Sequence, residues 1–294
     1  MGCLGPLTAY YSAELNPSGK RSLVFDKKKS HSGIKVMVAC QQCINCRIQR
    51  STDNAVRCMH EALSNELNCF VTLTYDNENL PADGGLDHRH FQLFMKRLRD
   101  HCDFKFKYFM CGEYGETYNR PHYHALLFGC DFQDRVFYKR TKAGDRLDTS
   151  PTLDRLWRLG FTTVGRVTFE SARYCTGYIQ KKVLGPAAAD HYMGRRPEYC
   201  IWSNGIGARW FEKYGASNYD GDYVVINGTK FRIPKYYDNK FEIVDTDRFL
   251  VVKRKRLAAA AARDPDLANR RSWTREQVAK ARMSRFFRGG LDEA

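Results

Sequence analysis

No apolar run in this 294-residue chain approaches the roughly 18 residues of a membrane-spanning helix, so no span is expected. The opening residues, MGCLGPLTAYYS, have neither a basic n-region nor an apolar h-region, and no secretory leader is expected. Pro6 stands where a myristoylation site requires Ser or Thr. There is no G-x-x-x-x-G-K-[ST] motif, which argues against ATPase or helicase activity in this chain. No internal repeat is found. Acidic residues are also in deficit, with 33 Asp+Glu against 48 Lys+Arg and a formal charge of +15. A surplus of that size predicts a polyanionic partner without naming it. Part of it is local, since Lys253 to Arg288 holds 12 basic and 3 acidic residues, yet the remainder is basic in its own right.

What is present suffices for a folded core, at 43% hydrophobic and 13% aromatic residues. From Gln41 to Asn68, Ile44, Ile48, Val56, Met59 and Leu63 recur at helical spacing. Phe70-Val-Thr-Leu-Thr-Tyr75 predicts a strand that stops in the Asn/Asp-rich loop Asp76–Gly85. Asp87 is placed to cap a helix reaching about His101, with Phe91, Phe94, Met95 and Leu98 along its apolar stripe. Further strands are predicted over Phe104–Cys111, His122–Phe128 and Phe161–Phe169, a short helix over residues 150–160, and another from Ser171 to Lys182. Tyr223–Ile226 and Lys230–Ile233 flank Asn227-Gly228-Thr229 as a hairpin. The pattern predicts an α+β fold, one central antiparallel sheet flanked by helices. Four segments are expected: an N-terminal segment with a cysteine cluster and helix (1–69), a core (70–185), an extension with a hairpin (186–252), and a basic, partly helical tail (253–294).

The densest chemistry lies in Arg120-Pro-His-Tyr-His-Ala-Leu-Leu-Phe-Gly129. On a strand, His122 and His124 project from one face while Tyr123 points to the other. Two imidazoles on rigid backbone are a natural ligand pair for a divalent ion. Glu113, near the end of the preceding strand, is the third candidate ligand, with Glu116 in reserve. His-x-His alone is common, and a glutamate in a turn is usually solvated.

Downstream, Tyr174 and Tyr178 are four apart in a predicted helix and share a face. Lys181 and Lys182 follow within reach of that face. A phenol has a pKa of roughly 10, so a nucleophilic tyrosine needs a nearby cation or metal. Two tyrosines packing a helix onto a sheet would give the same pattern.

Taken in order, the Phe70–Tyr75 strand, the His-x-His strand and Tyr174-x-x-x-Tyr178-x-x-Lys181 resemble the three motifs of HUH endonucleases. The resemblance is strongest to rolling-circle replication initiators of microviruses, the gokushovirus branch above all, and covers Cys40 to Lys182 well. It implies an RRM-like core and Mg²⁺ or Mn²⁺ on His122, His124 and Glu113. It further implies tyrosine attack on single-stranded origin DNA, giving a 5′-phosphotyrosyl link and a free 3′-OH. Implied partners are the phage origin, a host helicase and a host DNA polymerase, in the cytoplasm of a bacterial host. Family members with two tyrosines often carry a lysine three residues after each. Here Tyr178 has Lys181 but Tyr174 has Gly177, which ranks Tyr178 first. A transposase or relaxase, or a non-catalytic single-strand-binding protein, are the alternative readings.

Eleven cysteines without a leader fit a reducing compartment with free or metal-bound thiols. Cys40, Cys43 and Cys46 have ligand-like spacing, and Cys3 is a fourth thiolate that folding could add to make a structural Zn²⁺ site. Shared C-x-x-C steps are not the usual paired knuckles, and buried cysteines are common. Arg47, Arg50, Arg57, Lys105, Lys107 and Arg120 are candidate DNA contacts, and the tail a source of salt-dependent affinity. Solvated cations would look the same in sequence.

Overall fold

Strands form where β-branched and aromatic residues alternate, and each ends where pairing partners run out. The computed structural model describes residues 2–17, 19, 21–115, 119–141, 143–183, 185–262, 273, 274 and 276–281, without the side chains of 178–181, 260 and 261. The described chain falls into two units, one of the residues up to Arg50 together with those from Ala260 onward, the other running from Ser51 to Ala259.

The first unit holds β1 (Leu7–Leu15), β2 (Arg21–Val24) and β3 (Val36–Val38) in an antiparallel sheet of order β2-β1-β3. Nothing in the sequence reading anticipated this sheet. Helix α1 (Ile44–Ala62) opens within this unit.

In the second unit follow β4 (Asn68–Thr74), α2 (His88–His101), β5 (Lys107–Tyr114) and β6 (Pro121–Phe128). Next come β7 (Val136–Arg140), β8 (Arg146–Thr149), α3 (Pro151–Trp157), β9 (Thr162–Gly165), α4 (Phe169–Lys181), α5 (Ala187–Tyr192) and β10 (Tyr199–Trp202). The unit ends in α6 (Ala208–Trp210), α7 (Asn218–Gly221), β11 (Val224–Ile226), β12 (Thr229–Phe231), α8 (Lys235–Val244) and α9 (Thr246–Ala261). Seven strands form one antiparallel sheet of order β10-β5-β6-β4-β9-β8-β7, with helices on both faces: an α+β architecture. On one face Val71, Leu73, Tyr123, Ala125 and Leu127 pack with Phe91, Phe94, Met95 and Leu98 of α2 and Leu153 and Trp157 of α3. On the other, Phe70, Phe109, Leu126 and Phe128 pack with Ala55 and Cys58 of α1 and Ala172, Tyr174 and Cys175 of α4. Each Val, Leu, Met or Phe among them contributes roughly 1.5–3 kcal/mol by leaving water.

Several boundaries differ from the sequence reading for local reasons. β5 starts at Lys107, where pairing with Phe128 begins, and Phe104 is left exposed. β9 is cut short because the chain must turn into the cap of α4. There Thr168 accepts from the Ser171 N–H at 3.1 Å and Ser171 Oγ accepts from the Thr168 N–H at 2.9 Å, so the helix starts at Phe169. Asp87 caps α2 as expected, accepting from the Arg89 N–H at 2.8 Å. The β11–β12 turn is two residues long, Asn227 and Gly228, both at positive φ as a tight hairpin turn requires. Of the basic tail, residues 263–272, 275 and 282–294 lie outside the described residues.

Candidate metal centre and tyrosine helix

Antiparallel register sets the site. The β5–β6 pairing places Glu113 opposite His122 and Cys111 opposite His124, while the β4–β6 pairing places Thr72 opposite His124. All these side chains therefore share the sheet face on which α4 packs. Glu113 Oε1 lies 2.8 Å from His122 Nε2 and 2.6 Å from His124 Nε2. The rings of His122 and His124 stand nearly perpendicular, at 89° with centroids 4.8 Å apart.

The far side of each imidazole is held. His122 Nδ1 lies 3.0 Å from the Arg120 carbonyl, which can only accept, so Nδ1 carries the hydrogen. His124 Nδ1 is 3.0 Å from Thr72 Oγ1, and its ring stacks on Phe70 at 5.5 Å and 9°. His122 Nε2 must then present either a second proton or a lone pair to the carboxylate. Burial raises the Glu113 pKa, but the charges of His122 and His124 and their hydrogen bonds lower it further, and the net shift is below the usual carboxylate range. Its second oxygen, Oε2, is buried and has no hydrogen-bond partner among the described residues.

An orphaned buried oxygen and converging Nε2 atoms suit a cation. The ligand atoms of Glu113, His122 and His124 lie within 4.8 Å of one another. Ligands 2.0–2.1 Å from an octahedral ion sit about 3 Å apart, so small movements would admit one. A carboxylate with two imidazoles fits a first-row divalent ion such as Mn²⁺, or Mg²⁺ with water filling the shell. This group can hold a metal ion.

Tyr174 reaches the same cluster from α4. Its hydroxyl donates to Glu113 Oε1 at 3.1 Å and lies 3.5 Å from His124 Nε2, with its ring edge-on to that imidazole. The residue is only 4% exposed. Tyr178 sits one helical turn further along α4. The side chains of Tyr178 and Lys181 lie outside the described residues, as does Glu116 entirely. Lys182 is half-buried at the C-cap of α4.

The structure also gathers Cys3, Cys40, Cys43 and Cys46 in the first unit. Cys3 and Cys43 sulfurs are 3.9 Å apart and those of Cys40 and Cys46 4.0 Å. Those separations exclude disulfides, whose sulfurs lie about 2.05 Å apart. They approach the edge of a tetrahedron with 2.3 Å metal–sulfur bonds, about 3.8 Å. Backbone N–H groups of Cys40, Leu4 and Cys43 donate to the sulfurs of Cys3, Cys43 and Cys40 at 3.3–3.4 Å. For Cys40 burial opposes ionisation, but the N–H groups of Cys43 and Gln42 outweigh it and bring the thiol down to about 6. Burial and the neighbouring sulfurs push Cys46 up to about 12. A second metal ion fits here.

The candidate DNA contacts are divided. Lys105 is exposed. Arg57 donates to the Ile206 carbonyl and covers the Tyr236 ring, Lys107 binds Glu61 and the Gly205 carbonyl, and Arg120 binds the Tyr75 carbonyl and Asn77. Arg47 and Arg50 donate to the chain around Gln41 and Gln42. Sequence reasoning missed Thr72 and Phe70 as supports of His124. Their alternation in β4 was visible, but the register that sets them beside His124 was not.

The family described as Replication-associated protein ORF2/G2P matches residues 68–183, from the start of β4 to just past α4. Replication-associated protein VP4 of Bdellovibrio phage phiMH2K is 31% identical over 284 residues, 91% of this chain and 87% of its own. The chain belongs to the ORF2/G2P family. Its ORF2/G2P relatives include Replication-associated protein ORF2 of Spiroplasma virus 4, 31% identical over 85% of this chain and 82% of its own. Another is Replication-associated protein ORF4 of Chlamydia phage 1, 33% identical over 67% of this chain and 52% of its own. These are gokushovirus relatives, the branch that the motifs resemble. No solved structure matches the chain. The family match encloses Glu113, His122, His124, Tyr174 and Tyr178.

Proposed function

We propose that this chain is the replication initiator of a single-stranded DNA phage, an HUH endonuclease that nicks and rejoins origin DNA. The observation that carries the reading is the Tyr174 phenol on a buried carboxylate shared by two histidines. The replication-associated names of its relatives support it. The seven-stranded sheet with His122 and His124 on a central strand suits an HUH core.

In this reading Glu113, His122 and His124 hold Mg²⁺ or Mn²⁺, which when bound lends positive charge to the scissile phosphate. The chain's own residues do the rest. A tyrosine oxygen attacks phosphorus as the bond to the 3′ oxygen breaks. The phenol gives up its proton, the departing oxygen takes one, and the products are a 5′-phosphotyrosine and a 3′-OH. A host polymerase extends that 3′-OH and a host helicase unwinds ahead of it. One of the tyrosine pair makes the first cut and the other cuts the regenerated origin, with Tyr178 ranked first as nucleophile for the Lys181 three residues on. The 3′-OH released then displaces the first tyrosine and closes the circle. Lys181 and Lys182 stabilise the charge that builds on the phosphate. We assign structural Zn²⁺ to the four-cysteine cluster.

Incubating the protein and Mn²⁺ with single-stranded oligonucleotides from its own genome should yield a peptide–DNA adduct by mass spectrometry, on residue 178 or 174. The Tyr174→Phe/Tyr178→Phe double variant should form none. Unchanged nicking by that variant would reject the tyrosine mechanism, and binding by the parent with neither nick nor adduct would leave a non-catalytic DNA-binding protein.

A further inference from the structure

The first unit carries a surface that the nicking site does not use. Its register sets Leu7 beside Val38 and Tyr11 beside Leu23, so these side chains share one face of the small sheet. That face is open at its ends, where Tyr11 is 49% exposed, Leu23 45% and Leu7 44%, with the small Ala9 buried between them. Tyr10 and Ser12, on the opposite face, are buried. Phe25, 63% exposed, follows the end of β2. Directly after it, Asp26 caps a single helical turn of Lys27, Lys28 and Lys29, accepting from the Lys28 N–H at 2.9 Å. All three lysines are exposed. Residues 1–50 hold eight lysines and arginines against two acidic residues.

We infer that this sheet face and the lysine turn form a second single-stranded DNA surface, built from residues other than those of the nicking site and free of catalytic groups. Open aromatic rings offer stacking to unpaired bases of any sequence, and the lysines offer charge to the backbone. Both are confined to one small unit built beside the four-cysteine cluster. Duplex DNA keeps its bases stacked and would leave Tyr11 and Phe25 without partners. A second copy of the chain is a poorer occupant, because a two-fold contact sets a patch against itself and would bring two lysine turns together. The surface adds affinity and retention on the strand, and leaves the cutting step at saturating DNA unchanged. It goes beyond the proposed nicking activity and does not require it.

The test is binding of labelled oligothymidylate to the full-length protein by fluorescence anisotropy, with no Mg²⁺ or Mn²⁺ added so that cleavage plays no part. Lys27→Glu/Lys28→Glu/Lys29→Glu should weaken binding and reduce the slope of log affinity against log salt by about 2. Tyr11→Ala/Phe25→Ala should weaken it roughly tenfold or more with the slope kept. Phe25→Trp should bind normally, and its fluorescence should be quenched by oligothymidylate but not by duplex. Zinc content and circular dichroism equal to the parent's show that the variants are folded. Parental affinity in folded variants of both groups would overturn the inference. So would their conversion from dimer to monomer at unchanged affinity, which would make the face a self-association surface. A protein that binds as expected but never forms the tyrosine adduct would leave this surface standing and remove only the nicking proposal.

Discussion

At Glu113 one carboxylate oxygen serves two imidazoles and a phenol while the other has no partner among the described residues, an arrangement suited to a cation from outside. Its neighbours depend on supports that touch no ligand. Thr72 holds His124 Nδ1 and thereby fixes which nitrogen faces Glu113. Thr72→Val keeps the shape and removes that bond. It should weaken Mn²⁺ binding by about 10–100-fold, read by titration calorimetry, with Thr72→Ser recovering most of the loss. A Val variant that binds Mn²⁺ like the parent would show that Phe70 stacking alone positions the ring. His60 presents the opposite case, a histidine that must remain neutral. It stacks on Trp210 at 3.4 Å, its Nδ1 is 2.9 Å from the Tyr237 hydroxyl, and burial brings its pKa down to about 3. Below the unfolded value near 6.5 the unfolded chain takes up a proton that the folded one refuses. Stability should therefore fall by about 1.4 kcal/mol for each pH unit between 6.5 and 3 on this account. Urea unfolding of His60→Gln should show a shallower acid slope than the parent.

Elements are locked to one another by close approach as much as by apolar area. Gly160 lies where the chain returns toward β9, at φ +142°, and a Cβ there would overlap backbone atoms of Thr74, Tyr75 and Asp76. The Thr74 and Asp76 N–H groups donate to the Phe161 and Leu159 carbonyls across this contact at 2.9 Å. Trp157 Nε1 donates to the Thr74 carbonyl at 3.1 Å. This packing holds the end of β4, the strand that carries Thr72. Gly160→Ala should cost on the order of 3 kcal/mol by urea unfolding. It should also weaken Mn²⁺ binding, because a displaced β4 takes the support of His124 with it. Full stability in that variant would mean the chain relaxes around the methyl group without disturbing the strand.

Over the whole molecule, the two units reach stability by different means. The second buries an extensive apolar core on both faces of its sheet. Within residues 2–50 the buried apolar side chains are Ala9, Tyr10, Ile44 and Cys46, too few for a segment that size to rely on apolar burial. On the structural Zn²⁺ assignment proposed above, a metal on the four cysteines would supply the missing free energy, as in small domains that fold only when loaded. Stripping it with a strong zinc chelator should therefore open this segment to limited proteolysis while Ser51–Ala259 resists. Equal resistance of both after metal loss would end that assignment. The amino-acid sequence by itself determined the alternation of β4 and β6, the apolar stripe and cap of α2, and the presence of His122, His124, Tyr174 and the cysteines, because these are periodicities and residue types carried by short stretches of chain. It did not disclose the N-terminal sheet, the β7–β8 pair, β10, or helix α8, whose short or weakly patterned segments gain their conformation from partners distant in the chain. Only the tertiary structure decided which residues meet: Glu113 against both histidines, Thr72 behind His124, Cys3 beside Cys43. Such meetings depend on strand register and helix packing, and a single-residue slip would turn every one of those side chains to the wrong face.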